Sequence, residues 1–98
     1  MEQLDNYRDV SKKVKSMVRE SWKDARVYVF GSVIEGKYTA GSDIDIIVVV
    51  DCVTRDEAIR MKASVIKSIE APIELHIATK EEYENWYCRF IDRVEEVV

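Results

Sequence analysis

The sequence predicts an α+β domain in two layers: a small mixed sheet of about three strands packed with helices, in the order α-β-α-β-α-β-α. Three observations carry this. Apolar residues recur at steps of three and four in the first, middle and last parts of the chain. Between them lie short β-branched runs bounded by Gly and Pro. Two Thr-x-x-Glu sequences stand where helices should start. With 98 residues, 47% of them hydrophobic, the chain reads as one domain, residues 1–98, with a modest core.

From the N-terminus, Leu4, Tyr7, Val10, Val14, Met17, Val18 and Trp22 line one face of a helix. Lys12, Lys13, Lys15 and Arg19 fall on its wet side and read as a solvated face. Val27-Tyr28-Val29-Phe30 is a short strand ended by Gly31. Ser32 to Glu35 fits a single helical turn, and Gly36 to Gly41 a loop. Ile44 to Val50 has the unbroken apolar pattern of a strand covered on both faces. Thr54-Arg55-Asp56-Glu57 caps a helix whose apolar residues are Ala58, Ile59, Met61, Val65, Ile66 and Ile69. Pro72 closes that region. Ile73 to Ala78 alternates Ile73, Leu75 and Ile77 with Glu74 and His76, as a strand with one polar face does. Thr79-Lys80-Glu81-Glu82 caps a last helix carrying Tyr83, Trp86, Tyr87, Phe90, Ile91, Val94 and Val97. Its wide aromatic arc reads mainly as core, with room for a partner surface.

Composition excludes several classes. No apolar run is long enough to span a membrane. The polar, acidic N-terminus is no secretory signal. Cys52 and Cys88 lack metal-site spacing, and His76 is the only histidine, so neither a zinc site nor a disulfide framework is expected. Both cysteines read as buried and inert, and a reducing cytoplasm is the expected location. A net charge of −4 argues against a chain that grips nucleic acid unaided.

The chemistry-bearing residues cluster around one corner. Asp43 and Asp45 open a strand that is otherwise apolar. Alternate residues of a strand point the same way, which places these carboxylates about 6.5–7 Å apart at Cα. Like charges so close repel, and a hard divalent cation such as magnesium or manganese relieves them. Gly31-Ser32 stands where a strand gives way to a helical turn, a place where backbone N–H groups can meet phosphate. Glu74 is a third carboxylate, on the following strand. If that strand lies beside the Asp43–Asp45 strand, three acids converge, enough for two metal ions. Gly31 to Tyr38 also approaches the P-loop pattern. However, Tyr38 stands where the small hydroxyl belongs, and a strand follows instead of a long helix.

Gly31-Ser32, ten residues, then Asp43-Ile44-Asp45 resembles the G-S-x10-D-x-D signature of the DNA polymerase β-like nucleotidyltransferase superfamily. The shortness of the chain resembles the minimal nucleotidyltransferases, the MNT family. The resemblance implies a nucleotidyltransferase fold and transfer of a nucleoside monophosphate, AMP from ATP, to an acceptor hydroxyl. It implies that Asp43, Asp45 and Glu74 hold two Mg2+ ions, and that Gly31 and Ser32 bind the nucleotide's phosphates. It further implies a helical HEPN-family partner, toxin to this chain's antitoxin, as acceptor and complex partner, in a homo- or hetero-oligomer. Many relatives carry an arginine soon after the Gly-Ser pair, where this chain has Val33. Lys37 is then the first basic residue. The alternative is a non-catalytic binding module that neutralises its partner by contact. Since the catalytic signature would occupy nearly all 98 residues, specificity is expected to come from a second polypeptide.

Overall fold

The computed structural model describes residues 2–35, 43–87, 89 and 94–97, with side chains from Tyr7 onward except those of Ser32, Glu35, Trp86 and Tyr87. Lys37, Cys88, Phe90 and Ile91, singled out above, lie outside the described residues. The elements are helix α1 (Glu2–Ser21), strand β1 (Arg26–Phe30), a single turn α2 (Ser32–Glu35), strand β2 (Ile44–Val50), helix α3 (Arg55–Ser68), strand β3 (Ile73–Thr79), a short turn α4 (Lys80–Glu82) running into a π-helical turn (Tyr83–Tyr87), and strand β4 (Val94–Glu96).

The strands form a four-stranded mixed sheet in the order β3-β2-β1-β4. β1 runs antiparallel to both β2 and β4, whereas β3 is parallel to β2 through the α3 crossover. α1 and α3 lie on one face of this sheet. From α1, Val10, Val14 and Val18 bury their side chains, with Tyr7, Met17 and Trp22 packed at the margin, as the helical spacing predicts. They meet Val27 and Val29 of β1, Ile44, Ile46, Val48 and Val50 of β2, and Leu75 of β3; Val65 and Ile69 from the α3 segment close the same core. Six residues here, Val14, Val18, Val27, Ile46, Val48 and Val65, retain no solvent exposure at all. Ile47 and Val49 point to the opposite face and, with Ala78, form a second, smaller core under Tyr28, Phe30 and Tyr83. β2 is therefore covered on both faces, which is why its sequence is apolar without alternation.

Both Thr-x-x-Glu sequences cap as expected. Glu57 N–H donates to Thr54 Oγ1 at 3.1 Å while Thr54 N–H donates to Glu57 Oε1 at 2.8 Å. Thr79 and Glu82 repeat the arrangement at 3.1 and 2.9 Å. The second box nevertheless starts a helix of only three residues.

Two expectations are corrected here. The sheet has four strands rather than about three, because Val94–Glu96 is a strand and not the end of a last helix. Left unpaired, β1 would be an edge strand with a free row of backbone groups. β4 satisfies that row, and Val97 N–H donates to Val27 O at 2.8 Å. Its side chains lock to α1. Tyr7 OH donates to Glu95 Oε2 at 2.8 Å, Arg8 lies 3.4 Å from Glu95 Oε1, and Lys15 Nζ donates to Val97 O at 2.8 Å. These tertiary bonds outweigh the helical spacing of Val94 and Val97. Second, Cys52 is exposed rather than buried, since it lies in the turn after β2 and not on a core face. No helix among the described residues is long and apolar enough to cross a membrane.

The Tyr7–Glu95 bond is partly buried, so Glu95→Ala is expected to destabilise the fold by about 1 kcal/mol in urea unfolding. Combined with Tyr7→Phe, the two losses should be less than additive. Full additivity would show that β4 does not rest on this contact.

Candidate active site

The site lies at the end of the sheet where β1 finishes and β2 and β3 begin. Register decides what meets there. Phe30 stands opposite Asp45, and Asp45 stands opposite Glu74. All three side chains project from the face away from α1 and α3, because Ile44, Ile46 and Leu75 take the core positions between them. Glu74 is thus brought beside Asp45 by the parallel pairing of β2 and β3. Ile44 N–H donates to Pro72 O at 2.7 Å, which extends that pairing to the point where Asp43 enters the strand.

The Asp45 carboxyl is half-buried and within hydrogen-bonding range of Glu74. Burial, the hydrogen bond to Glu74, and the charges of Glu74 and Asp43 together push its pKa up to about 6. Asp43 itself is exposed. The structure therefore pairs Asp45 tightly with Glu74, with Asp43 near enough to act through its charge. Among the described residues no three carboxylate, imidazole or thiol groups yet enclose a common point. The donor set is carboxylate oxygen, which suits a hard divalent cation rather than zinc.

Gly31 explains its own place. Its φ is +79°, a left-handed conformation that L side chains rarely adopt. It also packs directly on the acid: a Cβ built there would collide with Asp45 Oδ2 and stand 3.0 Å from Asp45 Cγ. Gly31 thus turns the chain from β1 into α2 and lets that backbone lie against the carboxylate. Gly31 O accepts from Ile34 N–H at 3.1 Å, closing the turn. Ser32 opens α2 next to it. Val33, the residue that departs from the arginine of many relatives, is buried in the main core. It therefore serves packing.

Two rings floor the site. The Phe30 and His76 rings lie 5.8 Å apart, tilted at 45°. Phe30 comes from β1 and His76 from β3, so the two side chains lean across β2, whose Ile47 between them is fully buried. Burial holds the imidazole below its usual pKa, against the opposing pull of Glu74. Its Nε2 lies 3.8 Å from Glu74 Oε1. Tyr83 stacks on Tyr28 at 5.4 Å and extends this floor. The contribution of Phe30 was hidden in a hydrophobic tetrapeptide. It becomes visible only when β1 is folded back on β2 about Gly31, which sets Phe30 opposite Asp45.

A mixed sheet with carboxylates on adjacent strands, at the end entered through a glycine turn, defines the class as a nucleotidyltransferase-type fold. The nucleotidyltransferase domain model matches residues 11–96, and the chain belongs to that family. A crystal structure provisionally designated a nucleotidyltransferase shares 33% identity and superposes with a TM-score of 0.75, covering 89% of this chain and 96% of that one. A second, from Sulfolobus solfataricus and likewise provisionally designated, shares the fold at 20% identity and a TM-score of 0.72, over 97% of this chain and 82% of that one. None of the curated proteins matches.

The raised pKa of Asp45 has a definite sign for stability. Its folded carboxyl keeps the proton between about pH 4 and 6, where the unfolded one has lost it. The stability this contributes is present below pH 4 and is lost as pH rises through about 6. In metal-free buffer, Asp45→Asn should therefore raise Tm at pH 7 by roughly 2–6 °C, discounted for solvent screening, and leave it unchanged at pH 4. A lower Tm at pH 7 would contradict the electrostatic account. Gly31→Ala should cost about 1–3 kcal/mol in denaturant melts, from backbone strain and displacement of Asp45.

Proposed function

We propose that this chain transfers a nucleoside monophosphate, AMP from ATP, to an acceptor hydroxyl on a helical HEPN-type partner protein, as a minimal nucleotidyltransferase of the MNT kind. The reading rests above all on the pairing of Asp45 with Glu74 beside the backbone of Gly31. Here paired carboxylates and the backbone that opens a helical turn share one corner.

In this reading Asp43, Asp45 and Glu74 hold two Mg2+ ions. Bound there, Mg2+ neutralises the triphosphate and lowers the pKa of the acceptor hydroxyl. The protein's own residues do the rest. Gly31 lets the backbone entering α2 lie directly against Asp45. The backbone N–H of Ser32, at the open start of α2, donates to phosphate oxygen. The Phe30–His76 ring pair flanks Asp45, the half-buried acid, and helps to desolvate it, which strengthens its charge interactions. Attack by the acceptor oxygen forms its bond to the α-phosphorus as the hydroxyl proton passes to a site carboxylate or to water. The bond from the α-phosphorus to the bridging oxygen breaks, and pyrophosphate leaves. With Val33 in the core, the triphosphate's cationic contact falls to Lys37 or to the partner.

Label from ATP carrying a radioactive α-phosphate should pass to a co-expressed helical partner, require Mg2+, and fall by at least about 100-fold in Asp43→Asn. Calorimetry of the wild type with MgATP should show binding that Asp45→Asn removes. Transfer that persists with both aspartates replaced would sink the mechanism. A tight partner complex without any MgATP binding would favour neutralisation by contact alone.

A further inference from the structure

The rings beside the acids are only partly used by the fold. Phe30 and His76 are half-buried, and the His76 side chain keeps 30% of its surface in solvent. The fully covered places on this face belong instead to Ile47, Val49 and Ala78. The two rings stand 5.8 Å apart on either side of Ile47, on the face that carries Asp45 and Glu74. Ile47 follows Asp45 by two residues, which places it about 6.5–7 Å along β2 from the acid. Further along, Tyr28 and Tyr83 are stacked on each other at 5.4 Å and bound the surface.

The geometry of transfer at phosphorus decides what can lie there. Attacking and leaving oxygens stand roughly in line through the phosphorus. In the proposed reaction the pyrophosphate leaves toward Ser32, just beyond the end of β1. The acceptor then arrives from the opposite side, that of Glu74 on β3. The reaction axis therefore runs across the strands, over Asp45. The ribose hangs from an oxygen off that axis, so the nucleoside departs along β2 or away from the sheet. Toward Asp43 the strand ends. Toward Ile47 the described residues offer one surface within the reach of a ribose, the Phe30–His76 pair. Aromatic rings beside a phosphate-handling centre suit the π-face of a base.

We infer that Phe30 and His76 form the nucleobase subsite, with the base of the nucleoside triphosphate stacked against their rings; this rests on the nucleotidyl-transfer reading above. The ribose then lies over the start of β2, between the carboxylates and the rings. Stacking strength rises with the area covered, so a purine is held more tightly than a pyrimidine. The two residues bind and select the nucleotide and take no part in the metal set. Their partial exposure follows, since a ring wholly buried in the small core could not meet a ligand.

Calorimetry with MgATP and with magnesium tripolyphosphate tests it, because the second ligand keeps the phosphates and lacks the nucleoside. His76→Ala should weaken MgATP binding at least about fivefold and leave tripolyphosphate binding unchanged. Phe30→Leu, which keeps the apolar bulk, should show the same selective loss, and His76→Phe should retain MgATP binding. Circular dichroism and melting curves check that each variant folds; His76 is partly exposed, so its variants carry the test if Phe30→Leu does not fold. MgUTP should bind the wild type more weakly than MgATP. His76 is the only histidine, so its imidazole proton signals are directly assignable. They should move upfield with MgATP beyond any shift that magnesium tripolyphosphate causes. Variants that bind MgATP as the wild type does, or that lose both ligands equally, would overturn the inference and leave the transfer reading standing. So would imidazole shifts that are the same with both ligands. A wild type that binds neither ligand would overturn the transfer reading, and the inference with it.

Discussion

The architecture turns on one close approach, that of the Gly31 backbone to the Asp45 carboxylate. Two demands meet there. Asp45 must sit on a central strand, beside Glu74, with burial and like charge both opposing its ionisation. The chain leaving β1 must also turn within one residue, in a conformation with positive φ, and press against that acid. Only glycine meets the second demand without displacing Asp45. Once it does, the end of β1, the entry to β2 and the start of α2 have fixed relative positions, and the corner takes its shape.

The sheet separates stability from chemistry by its two faces. The face under α1 and α3 carries the principal core, and most of the fully buried side chains lie there. The other face carries Asp45 and Glu74, floored by Phe30, His76 and the small core of Ile47, Val49 and Ala78. The repulsion between the carboxylates is tolerable because the strands bearing them are held from behind. β2 is the hinge of this arrangement. Its odd-numbered residues 45, 47 and 49 serve the site, while 44, 46, 48 and 50 serve the core. This dual duty leaves it no exposed face and no room for polar alternation. β4 plays a quieter part: it covers the free edge of β1 and ties that edge to α1 through Tyr7 and Glu95.

Much of this was legible in the linear chain. The period of α1, the uninterrupted apolar run of β2, the alternation of β3 and both Thr-x-x-Glu caps are local signals, and each held because local physics alone suffices for it. Asp43, Asp45 and Glu74 could be singled out because acids at the mouth of apolar strands are costly and call for a reason. The second capping box shows where local signals stop. Thr79 and Glu82 form it in full, yet the helix that follows lasts three residues. Capping can start a helix, but length depends on packing.

The order of elements up to β3, the turn at Gly31 and the acids on two strands therefore follow from the sequence by itself, through periodicity, capping and the cost of charge. Only the tertiary structure decided that Val94–Glu96 would be a strand, because the unpaired edge of β1 and the reach of Tyr7 and Lys15 lie far from it along the chain. Only register could set Asp45 between Phe30 and Glu74, and only packing could send Val33 inward and leave Ile59 and Ile66 outside. Those outcomes depend on which segments meet, and a strand or helix cannot specify by its own pattern the neighbour that completes it.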